Sequence, residues 1–226
     1  MLSKLKNSIR NHELLKKALF FLSRRFNPFN KYKVSAGTKF YAKGVFLHHC
    51  VVEINGENNE IEIDPGTKLK HCRIFVSGNN NRIHIGSGGL FVETEFYIED
   101  NNNTISVGKQ ACFCGETQLA AIEGTKIEVG SDCLFSSNIR FRTGDSHSII
   151  DSESGERINP SADIVIGEHV WVGSNVTCLK GVEVASNCIV GTSALLTKKY
   201  SEPGCVLVGI PAKVSKRNIT WQHERV

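Results

Sequence analysis

Few residues in this chain are equipped for chemistry, and one stands out by its surroundings. Of eight histidines, His147 falls in the stretch SHSIIDSESGERINPS, residues 146–161, which is polar, contains Gly155 and Pro160 and shows no apolar period. Neutral imidazole has a pKa near 7, so a histidine held in such a loop can act as a general base at working pH. Loops thrown out from a rigid scaffold are where function is usually carried. The other histidines weigh less: His169 is at a corner position and is expected to face solvent, His48, His49, His71 and His84 lie far upstream, and His12 and His223 are in the terminal extensions. The eight cysteines lack metal-type spacing, with Cys112 and Cys114 one residue apart and most others on inward or corner positions. They read as reduced core thiols of a cytoplasmic protein rather than a disulfide framework or zinc site, and no metal is expected.

The scaffold that must position His147 is written as a repeat. Ile166, Val172, Cys178, Val184, Val190 and Leu196 are six residues apart, Gly167, Gly173 and Gly191 follow three of them, and Val170, Val176, Val182, Cys188 and Ala194 come four residues later. A helix brings apolar residues round every 3.6 positions and a lone strand every second one. Six is the signature of a parallel β-helix, each hexapeptide forming one flat side of a triangular coil. The large residue points inward, the small one packs beneath it, and Gly relieves the corner. Upstream the period is 22: Asn58–Ile63 returns as Asn80–Ile85, as Asn102–Val107 and as Gly124–Val129, with Leu69, Phe91, Phe113 and Phe135 in register, and likewise Phe75, Tyr97, Leu119 and Phe141. The Asn corners are expected to stack as a ladder that makes turns rather than binds a ligand. The equivalent of Val129 is Ile166, 37 residues on rather than 22, so the 146–161 segment is an insertion extruded from the wall.

The expected organisation is a basic amphipathic helix over 1–30, a β-helix over 31–213 and a tail over 214–226. About seven coils at strand spacing make a prism of roughly 30–35 Å. Leu2, Leu5, Ile9, Leu14, Leu15, Leu19 and Phe20 follow helical spacing among Lys and Arg. Such a helix would cap the first coil or pack on a neighbouring subunit, and an interfacial contact with an anionic membrane is compatible with that. The longest uncharged apolar run, Ala18 to Leu22, is far too short to span a bilayer. Arg24 and Arg25 stand where a signal cleavage site would need small residues. A net charge of +4 is mild for a nucleic-acid binder, and no aromatic–basic alternation suggests base stacking.

Four segments, GDSHSIID at 144–151, IGEHVWVGSNV at 166–176, IVGTSALLTK at 189–198 and GIPAK at 209–213, together make the chain resemble the hexapeptide-repeat acyltransferases. It looks most like the branch that O-acetylates bacterial capsule or lipopolysaccharide sugars. The resemblance implies an all-β, left-handed parallel β-helix, against the usual right-handed crossover. It further implies a homotrimer with sites between subunits, acetyl-CoA as co-substrate and a glycan or sugar acceptor. In such an enzyme His147 takes the proton of the acceptor hydroxyl and the acetyl group passes directly, without an acyl-enzyme. Trp171, outward on a flat side, is expected to be covered by a ligand or a neighbouring subunit, and by resemblance it lines the acetyl-CoA cleft. Ser174 and Thr192 carry over as main-chain contacts, one amide of this kind serving the oxyanion, where a fixed donor contributes roughly 3–4 kcal/mol. Thr197 and Lys198 match a T-K pair beside the pantetheine arm, and Lys213 and Lys216 occupy basic positions that would meet the CoA phosphates.

Two departures from the family pattern matter. Asp145 and Ser146 intervene between Gly144 and His147, and Glu116 stands where some relatives draw an Asn from the preceding coil to orient the acceptor. Asp145 or a backbone carbonyl is left to orient the imidazole. Arg140 and Arg142, outward on the coil before the loop, are placed to bind an acidic sugar or to serve as surface charge. The rival readings are an N-acetyltransferase of an amino or nucleotide sugar, a serine acetyltransferase, a zinc carbonic anhydrase (which needs three converging histidines) and a structural β-helix without enzymatic activity.

Overall fold

The residues spaced by six turn inward, as their apolar character demands. Ile166, Val172, Cys178, Val184, Val190 and Leu196 are buried, and so are Val170, Val176, Val182, Cys188 and Ala194 beneath them. The structure, a computed structural model, describes residues 29–224. It is a left-handed parallel β-helix with three walls. The first wall begins at Lys31–Val34 and runs through Val51–Asn55, Arg73–Ser77 and Thr94–Glu99 to Thr177–Cys178 and Leu195–Leu196. A second, eight-stranded wall runs from Lys39–Tyr41 to Lys199–Tyr200. The third climbs from Phe46–His48 through Trp171–Val172 and Ile189–Val190 to Val206–Gly209. The strands Cys112–Ala121 and Leu134–Arg142 each turn a corner and serve the third and first walls together. Each wall thus carries eight rungs among the described residues rather than the seven expected, a height of about 34 Å at strand spacing. The expected helix over 1–30 falls outside the described residues except for Phe29 and Asn30, which lead into the first strand.

The 22-residue repeat survives as register. Ile61, Ile83, Ile105 and Ile127 form one continuous ladder, and the next partner of Ile127 is Ile164, 37 residues on. One expectation fails. Leu90 pairs with Cys112, 22 residues on, but Thr94 pairs with Thr117, 23 on. The extra residue lies at the corner holding Glu116, whose φ is 40°. A one-residue slip moves a strand's side chains to the opposite face. The inward ladder is therefore Ile74, Phe96, Leu119 and Phe141, while Phe75 and Tyr97 face outward and stack on each other at 5.1 Å. Phe91, Phe113 and Phe135 do stack along the axis, at 5.0 and 4.3 Å.

The Asn corners form a ladder along the edge between the first and second walls. Asn81 N–H donates to Asn59 Oδ1 at 3.0 Å, Asn103 N–H to Asn81 Oδ1 at 2.8 Å, and Thr125 N–H to Asn103 Oδ1 at 3.0 Å. Asn58, Asn80 and Asn102 take the left-handed backbone that makes each corner tight. The ladder ends where the Thr125 and Thr143 hydroxyls lie 2.7 Å apart. Thr143 is fully buried, and the inserted loop starts beside it.

Candidate active site

The loop leaves the first wall after Arg142 and re-enters the second at Ile164, so it crosses one edge of the prism. It is a short hairpin, with Ile150 bridged antiparallel to Arg157 and Ile158 N–H donating to Ile149 O at 2.9 Å. From the coil below, Glu123 holds it through Arg157 at 2.9 Å and the Ser161 hydroxyl at 2.8 Å. From the coil above, the Lys180 ammonium reaches Asp145 Oδ2 at 2.5 Å and Asn159 O at 3.1 Å. The Lys180 ammonium and the Asn159 amide hold the Asp145 carboxyl below the usual range. Asp145 therefore ties the loop down, and its hydrogen bonds go to Lys180 and Asn159 rather than to the imidazole. The His147 side chain is exposed at the loop root; its carbonyl accepts from Asn159 Nδ2 at 2.8 Å.

Below the loop root lies a groove of about 250 Å³, lined by Tyr97, Glu99, Gln118, Arg142 and Ser146 among others. Tyr97, Glu99 and Gln118 were not singled out in the sequence, because the corner slip hid the outward direction of Tyr97. Arg140 and Arg142 both face outward, and Arg142 Nη2 donates to Gln118 Oε1 at 3.4 Å. Neither guanidinium has an ion-pair partner among the described residues, whereas Arg73, Arg82, Arg157 and Arg217 each pair with a glutamate. Two unpaired cations side by side beside a loop suit an anionic ligand.

The remaining expected site residues fall on other edges. Trp171 points outward from the third wall and is 39% exposed. Ser174 and Thr192 occupy the corner between the third and first walls, where Ser174 Oγ lies 3.3 Å from Ser137 Oγ. Coils approach so closely here that a Cβ on Gly173 would sit 2.8 Å from Thr192 N. Glu116 is exposed on this same corner column, on a different edge of the prism from His147. Thr197 and Lys198 return to the loop's edge, near the top. Lys198 and Lys213 line a cavity of about 360 Å³ with Lys199, Tyr200, Glu202 and Arg217; Lys216 is exposed and outside that lining. The structure thus brings Lys198 and Lys213 together and keeps Trp171, Ser174 and Thr192 on a different side of the prism from His147.

His169 corrects an expectation. It is at a corner, with φ 52°, but it does not face solvent. Its Nδ1 lies 2.7 Å from Asp132 Oδ2, its Nε2 lies 3.0 Å from Trp221 O, and its ring stacks on Trp221 at 4.2 Å. The Trp221 indole N–H donates to His169 O at 2.8 Å, and His223 adds a 3.3 Å contact to Asp132. Burial raises the Asp132 pKa, but hydrogen bonds from His169 and His223 outweigh it and leave the carboxyl below its usual value. The last described residues therefore form a strap that runs back down the edge between the second and third walls. Ile219 N–H donates to Gly204 O on the way, and Trp221 comes within 6.1 Å of Trp171. A lone tryptophan two residues after Ile219, in a tail otherwise mostly polar, is the signal available in the sequence.

Burial pushes the Cys133 thiol up to about 12 and that of Cys178 still higher. Among the described residues no group of three His, Cys, Asp or Glu side chains is placed to hold a metal ion. No described helix is long and apolar enough to cross a membrane.

No family model matches the chain. Among solved structures, the polysialic acid O-acetyltransferase OatWY superposes with a TM-score of 0.81 at 30% identity, covering 87% of this chain and 92% of that one. The polysialic acid-specific acetyltransferase NeuO gives 0.79 at 27% identity, covering 86% and 88%. A polysialic acid O-acetyltransferase of Neisseria meningitidis is 36% identical over 107 residues, 47% of this chain and 50% of that protein. The chain thus spans about half the length of the curated relatives it matches.

Proposed function

We propose, on the premise that this chain belongs to the hexapeptide-repeat acetyltransferases, that it transfers the acetyl group of acetyl-CoA to a hydroxyl of an acidic bacterial surface glycan or its sugar precursor. The observation that carries this reading is an extruded loop presenting an exposed His147, which starts directly after a strand whose outward Arg140 and Arg142 have no ion-pair partner among the described residues. Neutral His147 takes the hydroxyl proton as the acceptor oxygen attacks the thioester carbonyl. A main-chain amide near Ser174 or Thr192 holds the negative oxygen that develops. The carbon–sulfur bond then breaks, the acetyl group stays on the acceptor, and the imidazolium returns its proton to the leaving thiolate. Lys198 and Lys213, which share one cavity, suit the phosphates of CoA, with Thr197 beside them and Lys216 at the margin. Arg140 and Arg142 suit the carboxylate of an acidic sugar.

The active unit in this reading is a homotrimer. Its support is geometric: His147 crosses the edge between the first and second walls, while Trp171 faces out from the third. A threefold ring joins two different faces of neighbouring subunits, an arrangement that lets one subunit's loop stand against the next subunit's Trp171 and cover that aromatic ring. We place the reaction in the cytoplasm, where the core cysteines stay reduced, with the basic 1–30 segment as a contact to the inner membrane face.

The test is release of CoA thiol from acetyl-CoA by the purified protein, with polysialic acid and a panel of neutral and amino sugars as acceptors, beside His147→Ala. Acceptor-dependent release that His147→Ala abolishes, with CoA binding retained, supports the reading. Release that survives the substitution removes His147 from the mechanism, and absence of both release and CoA binding refutes the enzymatic reading.

A further inference from the structure

The loop that carries His147 is organised around one side chain, Asn159. It is 6% exposed, and its carboxamide reaches four groups. Nδ2 donates to Asp145 Oδ2 at 2.8 Å and to His147 O at 2.8 Å, while Oδ1 accepts from Ile149 N–H at 2.7 Å and Arg157 Nε at 3.2 Å. The bonds to His147 O and Ile149 N–H hold the main chain on both sides of Ser148. Asn159 O in turn accepts from Lys180 and from Arg157 Nη2, so the hub is fixed to the coil above and, through the Arg157–Glu123 pair, to the coil below. The His147 ring itself is exposed, which leaves the main chain as the part of the residue that the fold grips.

We infer that Asn159 is the positioning residue of the reaction, setting where the His147 imidazole stands by clamping the backbone that bears it. The inference rests on the reading of His147 as the base. A buried carboxamide is suited to the task because it donates and accepts at once. A carboxylate there lacks both donors and faces the Asp145 carboxylate. A displacement of about 1 Å in a catalytic group costs up to ~100-fold in rate, so a clamp on the base's own carbonyl acts on kcat.

The experiment compares wild type, Asn159→Asp, the exchanged pair N159D/D145N and His147→Ala by thiol release from acetyl-CoA with polysialic acid as acceptor, together with thermal melting. The exchange returns a carboxamide–carboxylate hydrogen bond between the two positions and keeps the net charge, but it gives up the Lys180–Asp145 ion pair and leaves the His147 carbonyl without its donor. Expected are a kcat at least ~10-fold below wild type for Asn159→Asp, a KM for acetyl-CoA within about twofold, and an exchanged pair whose melting temperature rises above that of Asn159→Asp, short of wild type for want of the Lys180–Asp145 pair, while its kcat does not rise. Where Asn159→Asp does not fold, the exchanged pair alone carries the comparison. Recovery of kcat together with stability in the exchanged pair reduces Asn159 to a structural part and overturns the inference. Wild-type kcat in Asn159→Asp, with His147→Ala inactive, overturns it while sparing the base assignment. Full activity of His147→Ala removes the base assignment and this inference with it.

Discussion

If His147 works against the next subunit's Trp171, two inactive proteins should repair each other. His147→Ala lacks the base but keeps Trp171; Trp171→Ala lacks the aromatic wall but keeps the base. The two residues stand on different faces of the prism, so in this reading each site would draw its loop from one subunit and its tryptophan from the neighbour, and that sets the expected yield. When the variants are co-refolded in equal amounts and assort at random, a site is intact if the subunit giving the loop is Trp171→Ala and its neighbour is His147→Ala. That holds for about one site in four in a closed threefold ring. The mixture should therefore regain about a quarter of wild-type turnover, while simple mixing of the folded variants should regain nothing until subunits exchange. Varying the ratio should trace the product of the two fractions, with its maximum at equal amounts. Thiol release from acetyl-CoA measures this, with the trimer confirmed by light scattering. Recovery near zero from mixed trimers, when both variants fold and each is inactive, refutes the reasoning, because the site would then be complete within one chain; a fully active Trp171→Ala refutes it too, by putting Trp171 outside the site.

Three further outcomes follow from the packing. Trp221→Ala removes a buried ring from the strap (8% exposed), an interaction worth about 3–5 kcal/mol when a large aromatic side chain is truncated. Because the strap can leave without unfolding the solenoid, trypsin should cut after Lys216 or Arg217 on the order of 100 times faster with the main melting transition kept; a rate within threefold of wild type contradicts the docked strap. Asn81→Ala leaves the Asn103 N–H without its acceptor and should cost about 2–3 kcal/mol in urea unfolding; a change under about 0.5 kcal/mol would mean that the ladder bears little load. The Asp145 carboxyl is lowered mainly by Lys180, so its anchoring is complete above the unfolded carboxylate value of about 3.9 and is lost as pH falls through the still lower folded value. Exchange of the Ile149 amide should thus be steady, once corrected for intrinsic rate, from pH 7 to about 5 and rise only below about 4. A rise centred near pH 6 would point to a different group.

The walls could be read from the sequence because a β-helix repeats its core chemistry coil by coil. Ile166 to Leu196 spell out the inward column, and the 37-residue step from Val129 to Ile166 locates the loop. Register at corners was less legible. The slip at Glu116 changes one count by a single residue, and the coincidental 22-residue spacing of Tyr97 and Leu119 conceals it, so the outward Phe75 and Tyr97 align with the inward Leu119 and Phe141. The roles of Asp145, Asn159 and Lys180 were hidden for another reason. Their contacts join residues 14 to 35 positions apart across an insertion with no period, and polar partners in a loop carry no spacing rule. His169 and Trp221 meet across 52 positions, and no repeat extends into the tail to announce it.

The strap also changes how the stack comes apart. In a plain solenoid each coil touches only its neighbours, stability adds up rung by rung, and the terminal coil frays first. Here the last residues skip those neighbours and bind His169 and, 91 positions back, Asp132. Peeling off the coils that hold Thr192, Thr197 and Lys198 therefore requires the clasp to open first, which joins the upper rungs into one cooperative block. A contact of such sequence separation forms late in folding, after its partners are in place. The clasp then acts as a latch on a finished stack: it contributes little to the speed of assembly and slows loss of the upper rungs, the end that carries the residues assigned to the cofactor.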